Sequence, residues 1–117
     1  MDMIFNIKEN ILVAELFGEL DHYAAGHVRE DIEAAMESCS IKKVVFDFTK
    51  VTFMDSSGIG MILGRYRKLT DEGGGVAVCS CSSPIRNILN MAGVFSIIDY
   101  FDTPSEAVDF LCGKEVS

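Results

Sequence analysis

The sequence predicts an α/β domain: a mixed, mostly parallel β-sheet with about four helices, in the order β-β-α-β-α-β-α-β-α. Three observations carry this. Two short β-prone runs near the start are separated by three polar residues, the length that closes a hairpin. Short apolar runs then alternate with stretches of helical periodicity. Each transition carries glycine or a capping residue, with no long polar linker and no internal repeat. With 117 residues, the chain is expected to form a single domain spanning residues 1–117.

The elements follow in order. Ile4 to Ile7 and Ile11 to Phe17, joined by Lys8-Glu9-Asn10, read as antiparallel strands. Asp21 is placed to cap a helix whose apolar positions Val28, Ile32, Ala35, Met36 and Cys39 recur at helical spacing, with Arg29, Glu30, Asp31, Glu33 and Glu37 on other faces. Lys43 to Phe48 is nearly all apolar, as expected of a central strand covered on both sides. A second helix is predicted from Ser56 to before Gly73-Gly74-Gly75, with Ile59, Ile62, Leu63, Tyr66, Leu69 and Thr70 inside an arc of about 120°. Arg65, Arg67 and Lys68 flank or oppose that arc, and Met61 projects away from it.

Val76 to Cys79 reads as a short buried strand. Ser83-Pro84 supplies an N-cap with proline at the first helical position, for a helix through Ile85, Ile88 and Leu89 that ends at Gly93. A strand is predicted around Ile97-Ile98. Thr103-Pro104-Ser105-Glu106 forms a capping box before Ala107, Val108, Phe110 and Leu111, and Gly113 stops this last helix. Crossovers between parallel strands are expected to be right-handed.

Charge and composition narrow the function classes. Ten Lys and Arg against eighteen Asp and Glu give a net charge of -8, which repels nucleic acid and anionic membrane surfaces. No basic leader precedes a long apolar stretch, and no apolar run approaches the roughly 20 residues that cross a bilayer, so a cytoplasmic protein is expected. Cys39, Cys79, Cys81 and Cys112 contain only a C-x-C pair, which fits neither a zinc knuckle nor a thioredoxin-type redox motif; reduced structural thiols are expected.

The segment Phe53-Met54-Asp55-Ser56-Ser57-Gly58-Ile59-Gly60 stands out because it joins a strand to the N-terminus of a helix, where open α/β sheets place their sites and where free amides attract anions. The plainer reading is that Asp55 or Ser56 caps the helix while the glycines permit close packing. A nucleophile elbow requires G-x-S-x-G, but Met54 precedes Ser56 by two residues and Ile59 follows Ser57 by two, so neither serine fits. Gly58, Gly60 and Gly64 are too widely spaced for the dinucleotide fingerprint and lack the ending of a P-loop. An aspartyl-phosphate receiver is not supported either, because the strand end Val78-Cys79-Ser80-Cys81 is followed by no lysine.

Glu19, Asp21 and His22 form a second cluster, expected at the same sheet edge as Ser56; carboxylates there also read as plain caps. His22 and His27 are five residues apart, about 140° around a helix, which disfavours a shared metal. Met61 offers an adaptable contact for a partner.

The stretches Gly18-Glu19-Leu20-Asp21-His22, Val44-Val45-Phe46-Asp47-Phe48, Phe53 to Gly60, Ile62-Leu63-Gly64-Arg65-Tyr66 and Met91-Ala92-Gly93-Val94-Phe95 together resemble the STAS domain, in particular anti-sigma factor antagonists of the stage II sporulation protein AA type. The resemblance implies a regulatory binding protein rather than an enzyme, with no cofactor and no metal. It implies that an anti-sigma factor, itself an ATP-dependent serine kinase, phosphorylates Ser56. It also implies that the unphosphorylated form binds this anti-sigma factor and frees a sporulation sigma factor, and that a serine phosphatase reverses the modification. Glu19, Asp21, Asp55, Ser56, Ser57, Gly58, Ile59 and Met61 are the expected partner-binding residues. A nucleotide-sensing STAS module and a small enzyme with a serine nucleophile are the alternatives.

Overall fold

A computed structural model describes residues 1–113 of the protein. The elements are β1 (Asp2–Lys8), β2 (Ile11–Leu20), α1 (His22–Cys39), β3 (Lys43–Met54), α2 (Ser56–Asp71), β4 (Gly75–Cys79), α3 (Ser83–Met91), a 3-10 turn at Val94–Ser96, β5 (Asp99–Phe101) and α4 (Pro104–Leu111). They form one five-stranded sheet in the order β1-β2-β3-β4-β5. Only β1 and β2 run antiparallel; the other three pairings are parallel. The predicted class and element order are those observed.

Glu9 and Asn10 close the first hairpin with φ of 50° and 65°, the pair of left-handed residues that a two-residue turn needs to match strand twist. Because successive parallel strands are added on one side of the sheet, right-handed crossovers carry α1, α2 and α3 onto the same face. The main core lies under them and includes Leu16, Leu20, Val28, Ile32, Phe46, Phe48, Ile62 and Leu89. The opposite face is covered by α4, where Ala107, Val108 and Leu111 pack on Ile11, Val13, Val45, Ala77 and Cys79. Alternation along β3 explains both: Val44 and Phe46 serve one core, Val45 the other.

Several boundaries depart from the sequence reading. Strands β2 and β3 run past Phe17 and Phe48 to Leu20 and Met54, because each continues to pair with the other through irregular register near Glu15–Phe17 and Gly18–Glu19. Exposed Thr49, Lys50 and Thr52 had masked this extension. Cys39 is exposed at the end of α1 rather than on its buried stripe. The buried stripe of α2 is Gly58, Met61, Ile62, Arg65 and Leu69. Met61 and Arg65 are therefore inside, not opposite the core, and Thr70 is exposed. The cause is that α2 packs on α1 as well as on the sheet, which turns its buried stripe by about one residue.

Ile97-Ile98 is not a strand. The Ser96 hydroxyl donates to the Gly93 carbonyl at 2.6 Å and the Ile98 amide to the Val94 carbonyl at 2.9 Å, holding the chain in a turn. Ile98 is buried to fill the core, and pairing begins only at Asp99. Helix α3 is capped by Ser82 without a side-chain bond, one residue before the expected Ser83. At α4 the Thr103 hydroxyl accepts from the Glu106 amide and lies 3.2 Å from Glu106 Oε1, so the box closes through the hydroxyl rather than the Thr103 amide.

No helix among the described residues is long and apolar enough to cross a membrane.

Candidate functional site

Two strand-to-helix turns meet at one sheet edge. Glu19 pairs with Phe53 and Leu20 with Met54 at the last registered positions of β2 and β3, so the residues that follow each strand emerge side by side. The Asp55 amide donates to the Leu20 carbonyl at 3.4 Å. Each turn then starts a helix with an aspartate N-cap: Asp21 Oδ1 accepts from the Ala24 amide, and Asp55 Oδ1 from the Ser57 amide, both at 2.9 Å. The capping reading of both carboxylates is therefore correct in geometry. Their negative charge nonetheless remains at the surface, as both are only half-buried, and Glu19 beside them is exposed.

The two serines differ. Ser56 is exposed, and among the described residues its hydroxyl has no hydrogen-bond partner. Ser57 is half-buried, and its Oγ lies 3.1 Å from His22 Nδ1. No sequence spacing signals this link between α1 and α2, since the partners are 35 residues apart. Among the described residues, no carboxylate is hydrogen-bonded to the His22 ring, so the pair lacks the orienting acid that serine nucleophile systems use.

Gly58 and Met61 lie beneath this surface rather than on it. A Cβ at Gly58 would meet Met54 Cγ at 2.8 Å and Leu20 Cγ at 3.0 Å, so glycine there lets the first turn of α2 rest on the ends of β2 and β3. Met61, 6% exposed, belongs to the core, which corrects its reading as an outward-pointing contact. Ile59 is half-buried against the same core. Gly60 and Gly64 sit within α2, so these glycines form no phosphate-cradling loop.

Beside the serines, a shallow groove of ≈ 500 Å³ runs between α1 and α2, lined by residues that include His22, Gly26, Arg29, Ser57 and Gly60. Nothing lies within 4 Å of a Cβ built at Gly26 or Gly60, so the groove floor is open to a neighbour. Further along the same helix pair, Arg65 is buried and its guanidinium meets Glu33 at 2.8 Å. The Arg65 Nε has no partner among the described residues.

All four cysteines are free thiols. Burial pushes Cys79 and Cys81 up to about 12, so neither offers a thiolate near neutrality. Among the described residues, no group of three or more His, Cys, Asp or Glu is arranged to hold a metal ion.

Comparison with known proteins places these features in context. The family model described as the STAS domain matches residues 2–107. The anti-sigma F factor antagonist of Paenibacillus polymyxa is 37% identical over 98 residues, covering 84% of each chain. Among solved structures, the anti-sigma factor antagonist SpoIIAA in its unphosphorylated form is 30% identical with a TM-score of 0.74, over 96% of this chain and 99% of that one. The Bacillus cell fate determinant SpoIIAA in the phosphorylated form, also 30% identical, gives 0.72 over 93% and 98%.

Proposed function

The chain belongs to the STAS-domain family, and from that premise we propose that it is an anti-sigma factor antagonist switched by phosphorylation of Ser56. In this reading the unphosphorylated form binds, in the cytoplasm, an anti-sigma factor that is also an ATP-dependent serine kinase, and so frees a sporulation sigma factor. Transfer of phosphate to Ser56 ends the interaction, and a serine phosphatase restores it. The relatives whose names describe this antagonism support the assignment.

The observation that carries the reading is the placement of Ser56. Its exposed hydroxyl stands at the N-terminus of α2, next to Asp55 and on the turn that neighbours the one bearing Glu19 and Asp21. A kinase must approach this hydroxyl to modify it, so the docking surface and the acceptor coincide. Phosphate adds about -1.5 to -2 charges beside three carboxylates, which converts an accepting surface into a repelling one and removes the hydroxyl as a donor. Glu19, Asp21, Asp55, Ser56 and Ser57 form the contact surface, while Gly58, Ile59 and Met61 support it from beneath.

The switch is local. Positive helix-dipole charge at the start of α2 favours a phosphate there, and the long β2–β3 pairing beneath holds the scaffold. The similarity of the chain to both the unphosphorylated and the phosphorylated form of SpoIIAA supports a common fold for the two states.

The test is intact mass after incubation with ATP and the cognate anti-sigma factor, for the native chain and for Ser56→Ala. One phosphate on the native chain and only a small fraction of that on the variant, with binding retained by the variant, is expected. A mass gain in Ser56→Ala equal to that of the native chain places the acceptor elsewhere.

A further inference from the structure

Two adjacent serines open α2, yet they are not equivalent acceptors. We infer that His22 biases the choice between them, engaging the Ser57 hydroxyl on the α1 side so that Ser56 is the preferred acceptor; the inference rests on the switch proposed above.

The geometry gives the reason. His22 is the first residue of α1 and Ser57 lies in the first turn of α2, and their side chains meet at 3.1 Å where the two helices start side by side. In one tautomer of the ring Ser57 donates to Nδ1, and in the other Nδ1 donates to Oγ. Either way the hydroxyl is drawn toward α1 and the groove between the helices. Phosphoryl transfer requires a released hydroxyl: the oxygen must line up with the γ-phosphate and give its proton to the kinase's base. Ser57 must first break its bond to His22.

The Ser57 backbone is held as well. Its amide donates to Asp55 Oδ1 at 2.9 Å, fixing the residue as the second position of the helix. The Ser56 side chain has no such hydrogen bond among the described residues and is exposed. The selection therefore lies in the substrate as well as in the kinase. His22 acts as a positioning residue: it takes no part in the transfer and slows the addition of a second phosphate beside the first.

The inference is tested in a Ser56→Ala background, where only Ser57 remains at the site. With ATP and the cognate anti-sigma factor, fragment mass spectrometry measures the rate of phosphate appearing on Ser57. Adding His22→Ala is expected to raise that rate roughly fivefold, equivalent to about 1 kcal/mol for one hydrogen bond at about 1.36 kcal/mol per tenfold. His22→Asn, which keeps a hydrogen-bonding nitrogen near Nδ1, is expected to hold the rate low. Equal Ser57 rates with and without His22, in chains that still bind the anti-sigma factor, overturn the inference. If instead the native chain takes no phosphate on Ser56, the switch itself is wrong.

A measurement on the isolated chain stands apart from the kinase. Nitrogen resonances of the His22 ring are expected to move on Ser57→Ala and to stay in place on Ser56→Ala. Ring resonances indifferent to Ser57→Ala overturn the inference, because the bond it relies on is then absent in solution.

Discussion

The amide of Asp55 donates to the carbonyl of Leu20, 3.4 Å away, and so ties the turn that carries Ser56 to the turn that carries Glu19 and Asp21. The tie sits at the end of the long β2–β3 pairing and precedes two aspartate-capped helices. Modification of Ser56 is therefore expected to leave the fold in place. Backbone amide shifts of the phosphorylated chain should change in residues 19–23 and 53–60 and remain unchanged in β4, β5 and α4. Shifts spread through those distant elements would contradict a local switch.

Gly58→Ala should destabilise the domain by about 1–3 kcal/mol, because the new methyl is driven against Met54 and Leu20 at the sheet edge. Gly74→Ala should cost more, since its Cβ would collide with the Lys42 carbonyl, a backbone atom that cannot rotate aside. Gly60→Ala meets nothing within 4 Å and should stabilise α2 by up to about 1 kcal/mol. Urea unfolding of the three variants gives the order directly.

The Arg65–Glu33 bridge predicts an asymmetry. Glu33 is one-third exposed and can return to water, whereas the Arg65 side chain is 10% exposed and cannot. Glu33→Ala should therefore cost about 1–3 kcal/mol by leaving a buried charge unpaired, and Arg65→Met, which keeps the packing, should cost less. Thermal melts that rank the two in the reverse order would contradict this account of the helix pair.

Alkaline stability should report on buried Cys79 and half-buried Cys81. Burial moves Cys79 from 9.0 to about 12, partly offset by its hydrogen bond to Ser80 and reinforced by the Asp47 charge. Burial also leads for Cys81, followed by the Cys79 charge. In the unfolded chain these thiols ionise near 9, while in the folded chain they hold their protons up to about 12. The unfolded state thus loses protons first, so this contribution is intact below pH 9 and falls away as pH rises from 9 toward 12. Melting temperature against pH should show that decline, with a shallower slope in Cys79→Ala than in the native chain.

Local signals carried most of the fold. The apolar run Val44–Phe48, the polar Lys8-Glu9-Asn10 stretch, Asp21 as a cap and the glycines after α2 all act over a few residues, so they are legible without partners. What escaped depends on neighbours distant in sequence. Met61 and Arg65 are buried because α1 lies across α2, Ile97-Ile98 turns because Val94 and Gly93 hold it, and β3 continues through polar Thr49 and Lys50 because β2 pairs with it. The site divided in the same way. Ser56, Asp55, Asp21 and Glu19 were visible as residues at helix starts, and the expectation that they share an edge agrees with the β2–β3 register. The His22–Ser57 contact was not visible, since no spacing rule joins two helices 35 residues apart.

The most direct test of the switch is the dissociation constant of the cognate anti-sigma factor for the unmodified chain and for the chain fully phosphorylated on Ser56. The account predicts binding at least about tenfold weaker for the phosphorylated chain, from charge repulsion beside Glu19, Asp21 and Asp55. Equal affinity of the two forms would contradict it.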